Sequence, residues 1–478
     1  MGTKVLIRTT LLAGLYIASG LAMAQDYVIE NINVIPMTEE VVLEKHSVLV
    51  SDGKVAKICK RSRNCRHKGA ERINGTGKFL IPGLTDMHAH TEPGMISGSP
   101  EAMAAMLKRV QTQQLRQYVT FGVTTTRDTG GGPNNLKIRE EILAGERLGP
   151  RIFSAKGAMD GDPRLHPATT AFGDPEVAAG YVRQTAAEGY DTVKIYSTLR
   201  KPVFDAIMSA AAESNIPVVG HVPIPVEMEY VLQSGLRSVE HLSGFGMVCA
   251  GYEAGLEPTM DDVYQGLNYC TPEKVNAVAA MVAKYPVWVD PTLIVQDSVQ
   301  TEWDRYTQNK VDEESYITPI QLAFMEYLFD IFKPRARAEL KASKSVRHAI
   351  VKALSDAGVP LLIGTDTMAA GYNVHQELAL FVESGLSPYQ TLVAATAEPA
   401  RYFDAEGEFG TIVEGASADM VLLDANPLDD IANASKISGV MLRGQWLSKA
   451  DIQAERDQLQ SEYAADRELL ASIMPAQQ

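Results

Sequence analysis

Phe79-Leu80-Ile81-Pro82-Gly83-Leu84-Thr85-Asp86-Met87-His88-Ala89-His90 is the stretch on which the fold turns. Its apolar first half reads as a short buried strand. In extended backbone alternate side chains share a face, so His88 and His90 point the same way from the strand's C-terminal end. Two imidazoles on one face can grip one metal ion, with a third group from elsewhere completing the site. A lone His-x-His is also what two surface histidines produce, so the rest of the chain has to decide.

Only nine histidines occur, and two more close strand-like runs: Pro217-Val218-Val219-Gly220-His221 and Ser238-Val239-Glu240-His241. In Asp191-Thr192-Val193-Lys194-Ile195-Tyr196 a lysine sits inside a β-branched run, where an ammonium is costly unless paired or chemically altered. Pro360-Leu361-Leu362-Ile363-Gly364-Thr365-Asp366 ends an apolar run on a carboxylate. Each has a plain structural reading: a satisfied core histidine, a helix-capping aspartate, a lysine reaching the surface. One shared site accounts for all of them more economically.

With these residues in view, the chain resembles the amidohydrolase superfamily in its binuclear form. His88-x-His90, Lys194, His221, His241 and Asp366 match its metal-site pattern in order. The flanking text, including Gly122-Val123-Thr124-Thr125-Thr126-Arg127-Asp128 and Gly364-Thr365-Asp366, is similar to the branch of imidazolonepropionase-like proteins and Xaa-Pro dipeptidases. The resemblance covers roughly residues 27 to 450. It implies one ion on His88, His90 and Asp366 and another on His221 and His241. It further implies that Lys194 is carboxylated and bridges the two. The cofactors it implies are thus two divalent cations, with Zn²⁺ fitting His/carboxylate ligation best. Asp366 would also move the proton from a bridging hydroxide to the leaving nitrogen.

Substrate residues are sought at the loop Asp160-Gly161-Asp162-Pro163-Arg164-Leu165-His166-Pro167, where Arg164 or His166 would hold a carboxylate or carbonyl, and at Tyr196. A plain exposed loop is the alternative. Arg127 and Asp128 either line the pocket or pack beneath it. His375 and Glu377 are read as support for the site or as barrel packing. Dipeptidase-like relatives often carry a tyrosine shortly after the histidine of strand 5. Here the text is His221-Val222-Pro223-Ile224-Pro225, with no tyrosine until Tyr230.

At 478 residues the chain holds one barrel-sized domain plus a smaller one. The middle, 81–404, alternates strand and helix, with strand ends near His90, Asp128, Ser154, Tyr196, His221, His241, Pro291 and Asp366. That is the count of a (β/α)8 TIM barrel, whose sites lie at the C-terminal strand ends. Both ends of the chain, 25–80 and 405–450, read as short strands, with an Asp52-Gly53 hairpin signal. They are expected to form one small β-sandwich domain, followed by a helical tail over 451–478. Residues 300–348 look helical and carry Trp303, Tyr306, Tyr316, Phe324, Tyr327, Phe329 and Phe332, which reads as core packing or as a lid.

Lys4 and Arg8 before an apolar run, then Ala22-Met23-Ala24, read as a Sec-type signal peptide cleaved after Ala24, giving a periplasmic or secreted product. An uncleaved anchor is the alternative. The net charge of −15 becomes −17 once Lys4 and Arg8 leave, which disfavours nucleic acid as a partner. The expected partner is a small-molecule substrate, with no membrane span after signal removal, and a possible homo-oligomer. In an exported chain the four cysteines can pair. Of three pairings, Cys59–Cys65 and Cys249–Cys270 are favoured because each closes a short loop.

The functional expectation is an exported enzyme that hydrolyses a C–N bond of a dipeptide or N-acyl amino acid. The alternatives are a cyclic-amide hydrolase, or an inactive periplasmic metal- or solute-binding protein. A single-metal deaminase-like site has no use for Lys194, and a storage site has none for Asp366.

Overall fold

The computed structural model describes residues 25–60, 62–65, 67–91, 101–132, 134–166, 168–251, 266–297, 316–318, 338, 341–367 and 369–473. Two sheets divide these residues. The first holds β1 (Tyr27–Val34), β2 (Leu43–Ser51), β3 (Lys54–Cys59), β4 (Glu71–Asn74) and β5 (Phe79–Pro82) from one end of the chain. From the other end come β14 (Met420–Leu423), β15 (Ile437–Leu442) and β16 (Gln445–Ser448). Its order is β16-β15-β14-β5-β1-β2-β3, with β4 on β1.

This sheet curls until residues 415–418, just before β14, bond back to Gly53 and Val55. Ile29, Ile32, Val48, Val55, Leu80 and Met441 fill the curl. In β3, Val55 and Cys59 are buried while Lys54, Ala56 and Lys57 are exposed, as on a sheet with one dry face.

The second sheet is parallel, in the order β13-β12-β11-β10-β8-β7-β6, with the two-residue β9 (Thr170–Ala171) on β8. Its strands are β6 (Leu84–Ala89), β7 (Val123–Asp128), β8 (Arg151–Asp160), β10 (Thr192–Ile195), β11 (Val218–Gly220), β12 (Ser238–Glu240) and β13 (Trp288–Asp290). The segment 360–366 closes it. On one side Val289 donates to the Pro360 carbonyl and Leu362 to that of Val289. On the other, Met87 donates to Ile363 and Asp366 to His88. Eight parallel segments thus ring one core, and every residue of β6 and β7 is buried. Helices such as Pro175–Ala187, capped by Asp174, and Pro388–Ala395, with a Ser387/Gln390 capping box, cover the outside.

Phe79–Ala89 is not one strand. It passes from the first sheet to the barrel at Gly83, whose N–H donates to Asp419 while Leu84 donates to Gly122. A Cβ on Gly83 would lie 2.0 Å from Thr124 Oγ1, so only glycine lets the chain cross there. The third barrel strand also runs to Asp160, six residues beyond its expected end.

Both favoured disulfides, Cys59–Cys65 and Cys249–Cys270, are formed. The tail is a helix, Lys449–Ile473. No helix among the described residues is long and apolar enough to cross a membrane. The signal segment and Trp303, Tyr306, Phe324, Tyr327, Phe329 and Phe332 lie outside the described residues. Tyr316 stacks on Tyr372 at 5.0 Å and meets Phe121 edge-on at 4.9 Å, which is packing.

Candidate metal centre

The C-terminal strand ends bring His88, His90, His241 and Asp366 together. The Asp366 carboxylate lies 2.7 Å from His90 Nε2, 3.8 Å from His88 Nε2 and 3.6 Å from His241 Nε2. His88, His241 and Asp366 by themselves form a group spaced to hold a metal ion. The His241 ring is 4.9 Å from that of His221, which extends the cluster towards β10 and β11.

The backbone here is strained in a consistent way. His241, Leu242, Thr292 and Asp366 all adopt left-handed φ, between 43° and 61°. Such conformations are costly for residues with a Cβ and persist only where the surroundings enforce them. His241 is enforced by its N–H bond to the Asp290 carbonyl and Asp366 by its bond to the His88 carbonyl. Each turn swings a polar side chain over the barrel mouth.

Three imidazoles are held by Nδ1, so that Nε2 faces the site. His88 Nδ1 is 2.8 Å from Glu240, His221 Nδ1 is 2.8 Å from Ser197 Oγ, and His241 Nδ1 is 2.6 Å from Thr292 Oγ1. Bonding one ring nitrogen to an outer partner leaves the other as a lone-pair donor, the arrangement metal-binding histidines use. His221 Nε2 is buried and makes no hydrogen bond, and neither does the buried Lys194 Nζ. Two orphaned polar atoms beside the cluster fit a cation and a modified lysine, since in their absence both would carry an uncompensated burial cost.

Electrostatics point the same way. Burial pushes the Lys194 ammonium down to about 8, so a neutral amine is within reach near physiological pH. Burial, reinforced by the Lys194 charge, holds His88 and His221 well below the ordinary imidazole range, and burial lowers His241 to about 4. All three rings are therefore neutral. Burial raises the Asp366 carboxyl, but the surrounding imidazoles outweigh it and keep it ionised.

Beneath the cluster lies a buried ion network that the sequence reading did not identify. Arg127 donates to both Glu240 oxygens (2.9 and 3.0 Å), to Ser238 Oγ (2.8 Å) and to the Met87 carbonyl (2.5 Å), and Asp290 lies 3.4 Å away. Arg127 therefore packs under the pocket. Asp128 does likewise, accepting from Thr91, Gly131 and Asn135 and tying together the loops after β6 and β7. Asp86 accepts from Thr365 N–H and Oγ1 and from His88 N–H, which joins the two strands that carry His88 and Asp366. A signal for Glu240 and Asp290 was present: each ends a short apolar run, beside a ligand or a turn.

The substrate candidates separate. The His166 ring lies 6.0 Å from that of Tyr196, which in turn lies 4.1 Å from that of His221. Asp160 pins their loops by accepting from Gly161, Leu165 and Thr198. Arg164 donates instead to the Thr169 carbonyl, within its own loop. Tyr230 bonds Asp205 on an outer helix. Glu377 accepts from Leu293 and Ile294 just after Thr292 and so supports a loop of the site, whereas His375 meets the Phe121 carbonyl just before β7, which is barrel packing.

The Amidohydrolase family model matches residues 79–447. An N-acetylglucosamine-6-phosphate deacetylase from Lysinibacillus sphaericus is 36% identical over 212 residues, covering 42% of this chain and 52% of the relative. The chain spans about half or less of the length of the curated relatives it matches. Among solved structures, a bottromycin amidohydrolase aligns with a TM-score of 0.72 at 24% identity, over 92% of this chain and 90% of that one. A prolidase complexed with N-methylphosphonate-L-proline aligns with a TM-score of 0.69 at 20% identity, over 89% and 100%. The family match spans the barrel together with β5, β14, β15 and nearly all of β16 of the first sheet, and on it the chain belongs to the amidohydrolase family.

Proposed function

We propose that the protein is an exported, binuclear metal-dependent hydrolase of amide or peptide C–N bonds, acting on a dipeptide or an N-acyl amino acid. The observation that carries this is the convergence of three imidazole Nε2 atoms on the Asp366 carboxylate beside the orphaned Lys194 Nζ and His221 Nε2. His88, His90 and Asp366 would hold one cation, His221 and His241 the other, and Lys194, as a carbamate, both. Two such cations, Zn²⁺ by donor type, would acidify a water molecule and polarise the scissile carbonyl.

The chain's own residues do the rest. Asp366 takes the proton of the attacking water and passes it to the leaving nitrogen. Its left-handed backbone, fixed by the N–H bond to the His88 carbonyl, keeps the carboxylate aimed inward, and the surrounding imidazoles keep it ionised, which a proton acceptor requires. Glu240, Ser197 and Thr292 hold the imidazoles in the ligating orientation. His166 and Tyr196, over His221, orient the substrate carbonyl or carboxylate. Burial lowers His166, so it serves as a neutral hydrogen-bonding group and not as a fixed cation.

The same proposal covers processing and domain organisation. Residues 1–24 are a signal peptide removed after Ala24. Residues 25–80 and 405–450 form the small β-sandwich domain, 81–404 the barrel, and 451–478 an appended tail.

Elemental analysis of the Zn²⁺-loaded mature protein, followed by screening on Xaa-Pro dipeptides, N-acyl amino acids and cyclic amides, tests the reading. Two ions per chain and turnover of one of the first two classes are expected. One ion per chain with turnover of cyclic amides alone would replace it with the mononuclear alternative.

A further inference from the structure

The helix Lys449–Ile473 begins after the family match ends at residue 447, and the reaction proposed above makes no use of it. Ile452, Leu459, Tyr463 and Asp466 are buried along one stripe of it, at the spacing of a packed helix face. The stripe lies on the helix Glu101–Thr120. Ion pairs flank the contact: Arg109 with Asp466, and Arg116 with Glu455 and Glu462.

At its centre the contact is polar and buried. Tyr463 donates its phenol proton to Gln117 Oε1 at 2.7 Å. Gln117 Nε2 in turn donates to the carbonyls of Ala370 (2.8 Å) and Tyr316 (2.9 Å). Tyr463, Gln117 and Ala370 are buried, so the bonds among them matter most. Without the Tyr463 hydroxyl, Gln117 Oε1 becomes a buried acceptor with no donor, and the amide loses the partner that fixes its orientation.

Ala370 stands four residues after Asp366. Asp366 is in a left-handed conformation, and Asn373 Nδ2 ties the helix after Ala370 to Thr367 Oγ1 at 2.8 Å. The neighbouring helix residue Tyr118 lies near Asp86, whose charge adds to burial in raising the phenol, and Asp86 grips Thr365 from the other side. Consecutive residues of one helix thus face the chain before and after Asp366. Arg456 adds a second anchor, stacking on Phe121 at 4.2 Å and donating to the Thr120 carbonyl.

We infer that Tyr463 and Gln117 are positioning residues, through which the C-terminal helix holds the backbone at Ala370 and so sets the aim of the Asp366 carboxylate. The inference rests on the reading of Asp366 as ligand and proton carrier.

The test uses the full mature chain with Tyr463→Phe, which removes one oxygen and keeps the ring. Hydrogen exchange should quicken about tenfold at the amides of 369–373 while the helix 449–473 stays protected. Co²⁺ titration should show a changed visible spectrum and an apparent affinity lower by about tenfold. Arg109→Ala, which cuts an ion pair of the same helix contact without touching Gln117, should leave both readouts as in the wild type. Unchanged exchange at 369–373 in Tyr463→Phe, or the same acceleration in Arg109→Ala, would show a helix that merely packs. Should Tyr463→Phe not fold, Gln117→Met takes its place with the same expectations. If the wild type takes up no Co²⁺, the metal reading falls, and the exchange comparison still decides the positioning role.

Discussion

His88 Nδ1 lies 2.8 Å from Glu240 Oε2, and the opposite oxygen of that carboxylate lies 2.9 Å from Arg127. One buried glutamate therefore orients an imidazole of the site and neutralises a guanidinium below it. Glu240→Gln keeps a hydrogen-bonding shape but removes the charge. Zn²⁺ affinity, measured by isothermal titration, should fall about 10- to 100-fold. Thermal unfolding should show a loss of about 3–5 kcal/mol, because Arg127 is left as an uncompensated buried charge. Unaltered Zn²⁺ binding would remove Glu240 from the support of the site.

Lys194 offers a chemical test. A carbamate forms from the neutral amine and CO₂, and burial brings that amine down to about 8. Bicarbonate-dependent reconstitution of CO₂-stripped protein should therefore speed up as pH rises through 8. Lys194→Ala should lose metal and nearly all turnover, with partial recovery in high formate or acetate. Lys194→Arg keeps a positive charge but cannot form the carbamate. Full metal loading in that variant would exclude the bridging role.

Glu377 carries a pH signature of its own. Burial raises its carboxyl to about 8, although the Leu293 and Ile294 N–H groups oppose the shift. Between the unfolded value near 4.5 and about 8, the folded state keeps a proton that the unfolded state has released. Stability contributed by this group is thus complete below 4.5 and declines as pH rises, by about 1.4 kcal/mol per unit across the window. Glu377→Gln should flatten that part of the curve of melting temperature against pH. A variant with the wild-type slope would assign the dependence elsewhere.

Export is checked by intact mass after expression in a Gram-negative host. The soluble periplasmic fraction should contain a chain that begins at Gln25. Full-length chain in the membrane fraction would favour the anchor instead. The same spectra under reducing and non-reducing conditions report on Cys59–Cys65 and Cys249–Cys270.

The sequence singled out His88, His90, Lys194, His221, His241 and Asp366 as candidate ligands because barrel chemistry sits at strand ends, and strands announce themselves as apolar runs. The barrel, the terminal strands contributed by both ends, and the two short-range disulfides followed from equally local signals. Tertiary structure alone decided what surrounds those ligands. Arg127, Glu240 and Asp290 come from three strands far apart in the chain, and nothing local distinguishes a buried charge with partners from a strand end facing water. The crossing at Gly83 looked like one continuous strand, because the constraint on it is the distant side chain of Thr124. The closing of the terminal sheet into one curl depends on residues 415–418 meeting Gly53 and Val55. The link from Tyr463 through Gln117 to the Asp366 loop likewise joins three segments more than 90 residues apart. Periodicity and composition act within a few residues, whereas charge balance and close approach are settled only when separate segments share the same space.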